Sequence, residues 1–173
     1  NARMIINGEA KFLRKNKLAE SIYDGEKFMT LMIENNDYPM ASWLYIYRRK
    51  FLVDERLFFA YGRLHEDEQF TPRAILKAKK IVDSNACHYN YVIRDNSITT
   101  KKDKRKNASD VIISAKELRN FFDNENINRY IADNLMDSFV NKYLSIFQSG
   151  NLKQYYKRVP EIAFLKKNSK LLK

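Results

Sequence analysis

The stretch "TTKKDKRKNAS" (Thr99–Ser109), followed directly by "DVIIS" (Asp110–Ser114), decides how the chain reads as a fold. Lys101, Lys102, Lys104, Arg105 and Lys106 place five positive charges in six positions. Like charges repel, so the run reads as a solvated loop. The β-branched, apolar "DVIIS" reads as a short strand. Just upstream, in "CHYNYVIRD" (Cys87–Asp95), His88, Asn90 and Val92 alternate with Tyr89, Tyr91 and Ile93. That period of two predicts another strand. Two strands joined by a long polar loop make a wide hairpin.

Helical spacing dominates on either side. Leu18, Ile22, Met29, Met32 and Ile33 predict a helix within 10–35, broken at Gly25. Met40, Trp43, Leu44, Tyr47 and Phe51 recur at three and four, predicting a helix over 39–52 with Pro39 in its first turn. Asp54 can cap a helix over 54–66 carrying Leu57, Phe58, Tyr61 and Leu64, which "HEDEQ" (65–69) closes or follows as a turn. Thr71-Pro72 opens a helix over 72–83, apolar at Ile75, Ala78 and Val82 and cationic at Arg73, Lys77 and Lys80. Downstream, Ser114 and Glu117 match a capping box that would start a helix at Ala115. Ile127, Ile131, Leu135, Val140 and Leu144 predict a helix over 127–147, stopped at Ser149-Gly150, and Ile162, Phe164 and Leu165 predict a last short one. The expected fold class is mainly α with a small β-hairpin.

The order helix (39–52), helix (54–66), basic helix (72–83), strand (86–94), basic loop, strand (110–113) resembles a winged helix-turn-helix. "TPRAILKAKKIVDSN" (71–85) resembles its recognition helix. The resemblance covers a winged-helix-like core at 39–113 inside an N-terminal region of 3–113. Additional C-terminal helices would occupy 114–173, as a second domain or as part of the same one. It implies a DNA-binding regulator, with DNA the expected partner over RNA. Arg73, Lys77, Lys80 and Asn85 would face the nucleic acid. Lys101, Lys102, Lys104, Arg105 and Lys106 would lie along phosphates as the wing.

The charge map agrees with a directed basic surface. The net charge is +11, and residues 1–75 carry almost none of it, with 12 basic side chains against 11 acidic. The excess sits in 76–106 (nine basic, three acidic) and 151–173 (seven basic, one acidic). Clustering of this kind favours a polyanionic partner over general solubility. The plain alternative is a solvated lysine loop and an exposed helix face.

Other classes find less support. With four glycines in the whole chain there is no Gly-rich phosphate loop. His65 beside Glu66, Asp67 and Glu68 reads as a solvated helix end, because adjacent helical residues point in different directions. Cys87 and His88, neighbours on a strand, face opposite sides and form no dyad. No catalytic residue, metal ligand or cofactor is therefore expected, and enzymatic activity is left open. Trp43, Tyr47, Phe58 and Tyr61 read as core, and Tyr89 and Tyr91 as sheet packing, with base stacking the alternative for each set. A single cysteine suits a reducing compartment, cytoplasmic or nuclear. No apolar run reaches the roughly 20 residues of a membrane helix. Asn1-Ala2 reads as a cleavage remnant, so the chain is expected to be a domain of something longer. The rival functions are a helical protein–protein module built on 10–66 and a basic ribonuclease-like toxin.

Overall fold

The protein is mainly helical, with two small sheets. The structure is a computed structural model and describes residues 2–6, 9–12, 18, 22–38, 40–84, 86–92, 103–152, 160–169 and 171. The chain divides into two compact units. Unit 1 comprises 1–59 and 70–100, and unit 2 comprises 60–69 and 101–173.

In unit 1, β1 (Ala2–Ile6) pairs antiparallel with β2 (Glu9–Phe12) and parallel with β5 (Tyr89–Val92), giving the order β2-β1-β5. β3 (Ile22–Tyr23) and β4 (Ile81–Val82) form a separate antiparallel pair. The helix expected within 10–35 is much shorter: α1 runs from Gly25 to Glu34. Gly25 starts this helix rather than breaking it. Asp24 is the cap, its carboxylate accepting the Lys27 N–H at 2.8 Å and satisfying one of the free donors of the first turn. Phe28, Met29, Met32 and Ile33 are the buried stripe.

The helix expected over 39–52 is not formed. Ser42–Leu44 make one 3-10 turn, irregular backbone follows, and α2 occupies only Arg49–Asp54. The aromatic residues that suggested one helical face find partners elsewhere. Trp43 stacks on β5 and Tyr47 packs edge-on against Phe70. The helix expected over 54–66 is absent too, since Arg56 (φ 51°) ends α2 and Leu57 to Ala60 are not helical.

The basic helix expected over 72–83 is α3, shifted to Asp67–Lys77. Asp67 and Glu68 occupy its first turn and Lys77 its last, charges that suit the two ends of the helix dipole. Glu68 to Pro72, Ala74 and Ile75 are all buried. Arg73 and Lys77 on this helix are half-buried, and Lys80 lies beyond its end. By its residue numbers, Asp67–Gln69 belong to unit 2 and the rest of α3 to unit 1.

In unit 2 the expected returning strand at 110–114 is the second turn of a helix. α4 runs over Arg105–Asn124, ten residues earlier than the capping-box start at Ala115. Ala108, Val111, Ile112, Ala115, Leu118 and Phe122 recur at three and four and are all buried. Burying that stripe outweighs the modest helix cost of three β-branched residues in a row. β5 accordingly pairs with β1, and the wing hairpin is not formed. Arg105 and Lys106 open the helix, while Lys101 and Lys102 lie outside the described residues. The long C-terminal helix agrees with expectation: α5 spans Arg129–Ser149, with the Asn128 side chain accepting the Tyr130 N–H at 2.8 Å. α4 and α5 pack as a helical hairpin, joined by α6 (Pro160–Asn168). The core holds Ile131, Leu135, Met136, Phe139, Val140 and Leu165.

Four helices end in the same way. The residues after α1, α2, α4 and α5, namely Asn36, Arg56, Asn126 and Asn151, have φ of 48°, 51°, 53° and 49°. After the first three the next N–H reaches back six residues inclusive: Asp37 to Met32, Leu57 to Leu52 and Ile127 to Phe122, at 2.9, 2.8 and 3.0 Å. These are Schellman closures, made here without glycine.

Candidate functional site

Unit 1 contains a groove of about 790 Å³. One wall is the irregular segment Leu44–Arg48 with α2, and the other is the end of α3 with the strand β4 that follows it. The short 3-10 turn and the early end of α3 create it, because both segments leave helical geometry and turn their side chains into shared space.

Five cations line the groove, Arg48, Lys50, Lys77, Lys79 and Lys80, against three carboxylates, Asp54, Glu55 and Asp83. The carboxylates are already engaged. Lys50 pairs with Asp54 at 2.9 Å on consecutive turns of α2, and Lys77 pairs with Glu55 at 3.9 Å. Asp83, 6% exposed, accepts the Leu18 N–H at 3.1 Å. Arg48, Lys79 and Lys80 are exposed and have no carboxylate partner among the described residues. The groove thus presents three uncompensated positive charges beside Tyr45, Tyr47 and Phe51.

The residues singled out in the sequence fall in different places. Lys77 and Lys80 line the groove, Arg73 is half-buried on α3, and Asn85 lies outside the described residues. Lys104, Arg105 and Lys106 belong to unit 2. Arg105 gives two parallel N–H bonds, from Nε and Nη2, to the Asp103 carboxylate at 3.0 and 2.7 Å. This holds Asp103 down to about 2. Lys106 pairs with Asp110 at 2.6 Å, and Lys104 is half-buried. Of the charges that made 99–109 look like a phosphate-binding wing, those of Arg105 and Lys106 are therefore shared with neighbouring carboxylates. Arg48, Lys50 and Lys79 were missed as groove residues. The signal for Arg48 and Lys50 in the sequence is the cationic run Arg48-Arg49-Lys50.

Unit 2 has a polar cluster of its own. The stretch "HEDEQ" is no solvated helix end, since Glu68 and Gln69 are buried. His65, in the left-handed region at φ 58°, places Nε2 3.0 Å from the amide nitrogen of Asn107. The Leu64 N–H donates to Asp110 at 2.8 Å, Arg63 pairs with Glu117 at 2.8 Å, and Lys142 pairs with Glu68. Together they fasten residues 63–68 to α4 and α5. Burial, then Lys142 and Lys104, press the His65 ring down to about 4, while burial and the Glu68 charge raise Asp67 to about 6. No group of three or more metal-ligating side chains occurs among the described residues.

No protein-family model matches the chain, and neither a curated protein nor a solved structure does. No helix among the described residues is long and apolar enough to cross a membrane.

Proposed function

We propose that the protein binds nucleic acid through the phosphates of a strand lying in the unit 1 groove. The supporting observation is the trio Arg48, Lys79 and Lys80, exposed cations on the walls of one groove with no carboxylate partner among the described residues. An exposed cation without an acidic neighbour retains its full attraction for a phosphate, and each contact releases a condensed counterion. Aromatic side chains in the same groove suit a ligand that carries bases as well as charge. Phosphate contacts of this kind bind DNA and RNA alike and carry little sequence information. The recognition-helix and wing form of the idea gives way to this one. In this form Lys80 keeps its role, and Arg48 and Lys79 join it, while Lys77 is paired with Glu55.

The test is fluorescence anisotropy of labelled DNA and RNA oligonucleotides at low salt. Binding tighter than ~100 μM is expected, as for non-specific binders. About three phosphate contacts to a single strand predict a slope of log affinity on log salt near −2. No binding under those conditions removes the proposal.

A second reading has one observation in its favour. Val53, Phe58 and Phe59 of unit 1 are 48%, 63% and 50% exposed, more apolar surface than one short segment usually shows. A protein partner would cover them. Partners retained in a pulldown after nuclease treatment would favour this reading over the first.

A further inference from the structure

Three aromatic rings in unit 1 stack flat at the surface. Trp43 lies over Tyr91 with planes 4° apart and centroids 5.3 Å apart, and over Tyr89 at 28° and 4.6 Å. The two tyrosines can share one indole because residues two apart on β5 point to the same face. Packing elsewhere in the protein includes edge-on pairs, such as Tyr47–Phe70 at 78° and Phe121–Phe122 at 60°. Nor is the stack buried: Tyr89 is 42% exposed, and Trp43 and Tyr91 are half-buried. The chain joins it to the groove on both sides. Leu44 and Tyr45, which follow Trp43, and His88, which precedes Tyr89, all line that groove.

We infer that Trp43, Tyr89 and Tyr91 form a platform on which unpaired bases stack while the phosphates of the same strand meet Arg48, Lys79 and Lys80. This rests on the nucleic-acid reading above and narrows it to single strands. Every base has a π face, so such a platform is tolerant of sequence. In a duplex those faces are already stacked on neighbouring bases and are withheld from the protein. The platform therefore selects single strands over duplexes of equal charge.

Trp43 is the only tryptophan in the chain, so its emission reports on this platform alone. The experiment titrates the full chain with oligo(dT), with an abasic oligomer of the same length, and with a duplex, following anisotropy and tryptophan emission together. Oligo(dT) is expected to bind most tightly and to quench Trp43 in step with binding, while the abasic oligomer binds without quenching. Tyr89→Ala is expected to weaken oligo(dT) about tenfold and leave the abasic oligomer unchanged, with Tyr89→Phe restoring the affinity. Equal binding of oligo(dT) and the abasic oligomer, with Trp43 emission unmoved, overturns the platform and leaves the groove reading standing. Absence of binding by all three probes overturns both. Far-ultraviolet circular dichroism checks that Tyr89→Ala is folded. If it is not, the unmodified protein's contrast between oligo(dT) and the abasic oligomer decides.

Discussion

The Asn107 amide donates to Nε2 of His65 across 3.0 Å, and Asn107 is only 4% exposed. The bond requires a lone pair on Nε2, so the ring is neutral with its proton on Nδ1. Protonation would set a second donor against the amide nitrogen. The lowered folded value, about 4 against 6.5, means that the unfolded chain takes the proton first as pH falls. His65 thus contributes stability that is present above about pH 6.5 and lost on acidification toward 4. Asp67 acts with the opposite sign. Its folded value of about 6 lies above 3.8, so its contribution is full at low pH and lost as pH rises through 6. The two largely cancel in the unmodified protein. Relative to it, His65→Asn should lose stability as pH rises through this window and Asp67→Asn as pH falls. Each change should be roughly 1–2 kcal/mol after allowance for partial exposure. Asn at position 65 tolerates the left-handed backbone. Urea midpoints across the window test this, and parallel slopes in the two variants would sink it.

Gly25 is required for a steric reason. A Cβ there would sit 2.1 Å from the Ile75 carbonyl oxygen, and the Gly25 N–H already donates to the Ala78 carbonyl at 2.9 Å. The start of α1 and the end of α3 meet backbone to backbone. Gly25→Ala should destabilise unit 1 by about 3 kcal/mol, since neither backbone is free to yield. Thermal unfolding measures it, and an unchanged midpoint would show that the contact is looser than described.

Charge removal in the groove should be selective. Arg48→Ala, Lys79→Ala and Lys80→Ala should each weaken binding of every oligonucleotide to a similar degree, and each should reduce the magnitude of the salt slope by about 0.7. Lys50→Ala, whose cation is shared with Asp54, should have a smaller effect. Affinities measured across a salt series distinguish the two groups. Equal losses for Lys50 and Lys79 would argue against the special standing of the unpaired cations.

Phe70 supports the groove from beneath. It is 1% exposed, stacks on Phe59 at 4.0 Å and meets the edge of Tyr47, a groove residue, at 5.5 Å. Phe70→Ala should cost about 3–5 kcal/mol by leaving a cavity. It should also weaken oligonucleotide binding at temperatures where the variant stays folded, because Tyr47 loses its backing. Denaturant unfolding and anisotropy on the same preparation read both effects.

The long stripe of α5 was legible in the sequence, whereas the first half of α4 and the segments at 39–66 were not. α5 shows its period over 21 residues, and α6 was anticipated from three apolar positions. β5 was legible from alternation, but its partner was not, because pairing with β1 joins residues far apart in the chain. The error at 105–114 came from weighing β-branched Val111, Ile112 and Ile113 locally. The wider spacing Ala108, Val111, Ile112, Ala115, Leu118 already described one helical face. Trp43 and Tyr47 obey helical spacing by coincidence, their rings being held by β5 and by Phe70. As for the groove, Lys77 and Lys80 were visible as cations. That, among the described residues, Arg48, Lys79 and Lys80 of the groove lack carboxylates depends on ion pairs that only folding brings together.

The glycine-free helix endings have a consequence for how element lengths arise. Proline and glycine write a stop into the chain, and asparagine at 36 and 126 favours one, whereas Arg56 can continue a helix as readily as end one. At α2 the decision rests on Leu57, which is 2% exposed and packs with Phe70 and Ala74. Where that helix ends is thus a product of collapse: before the leucine finds its place, the turn at Arg56 has no reason to form.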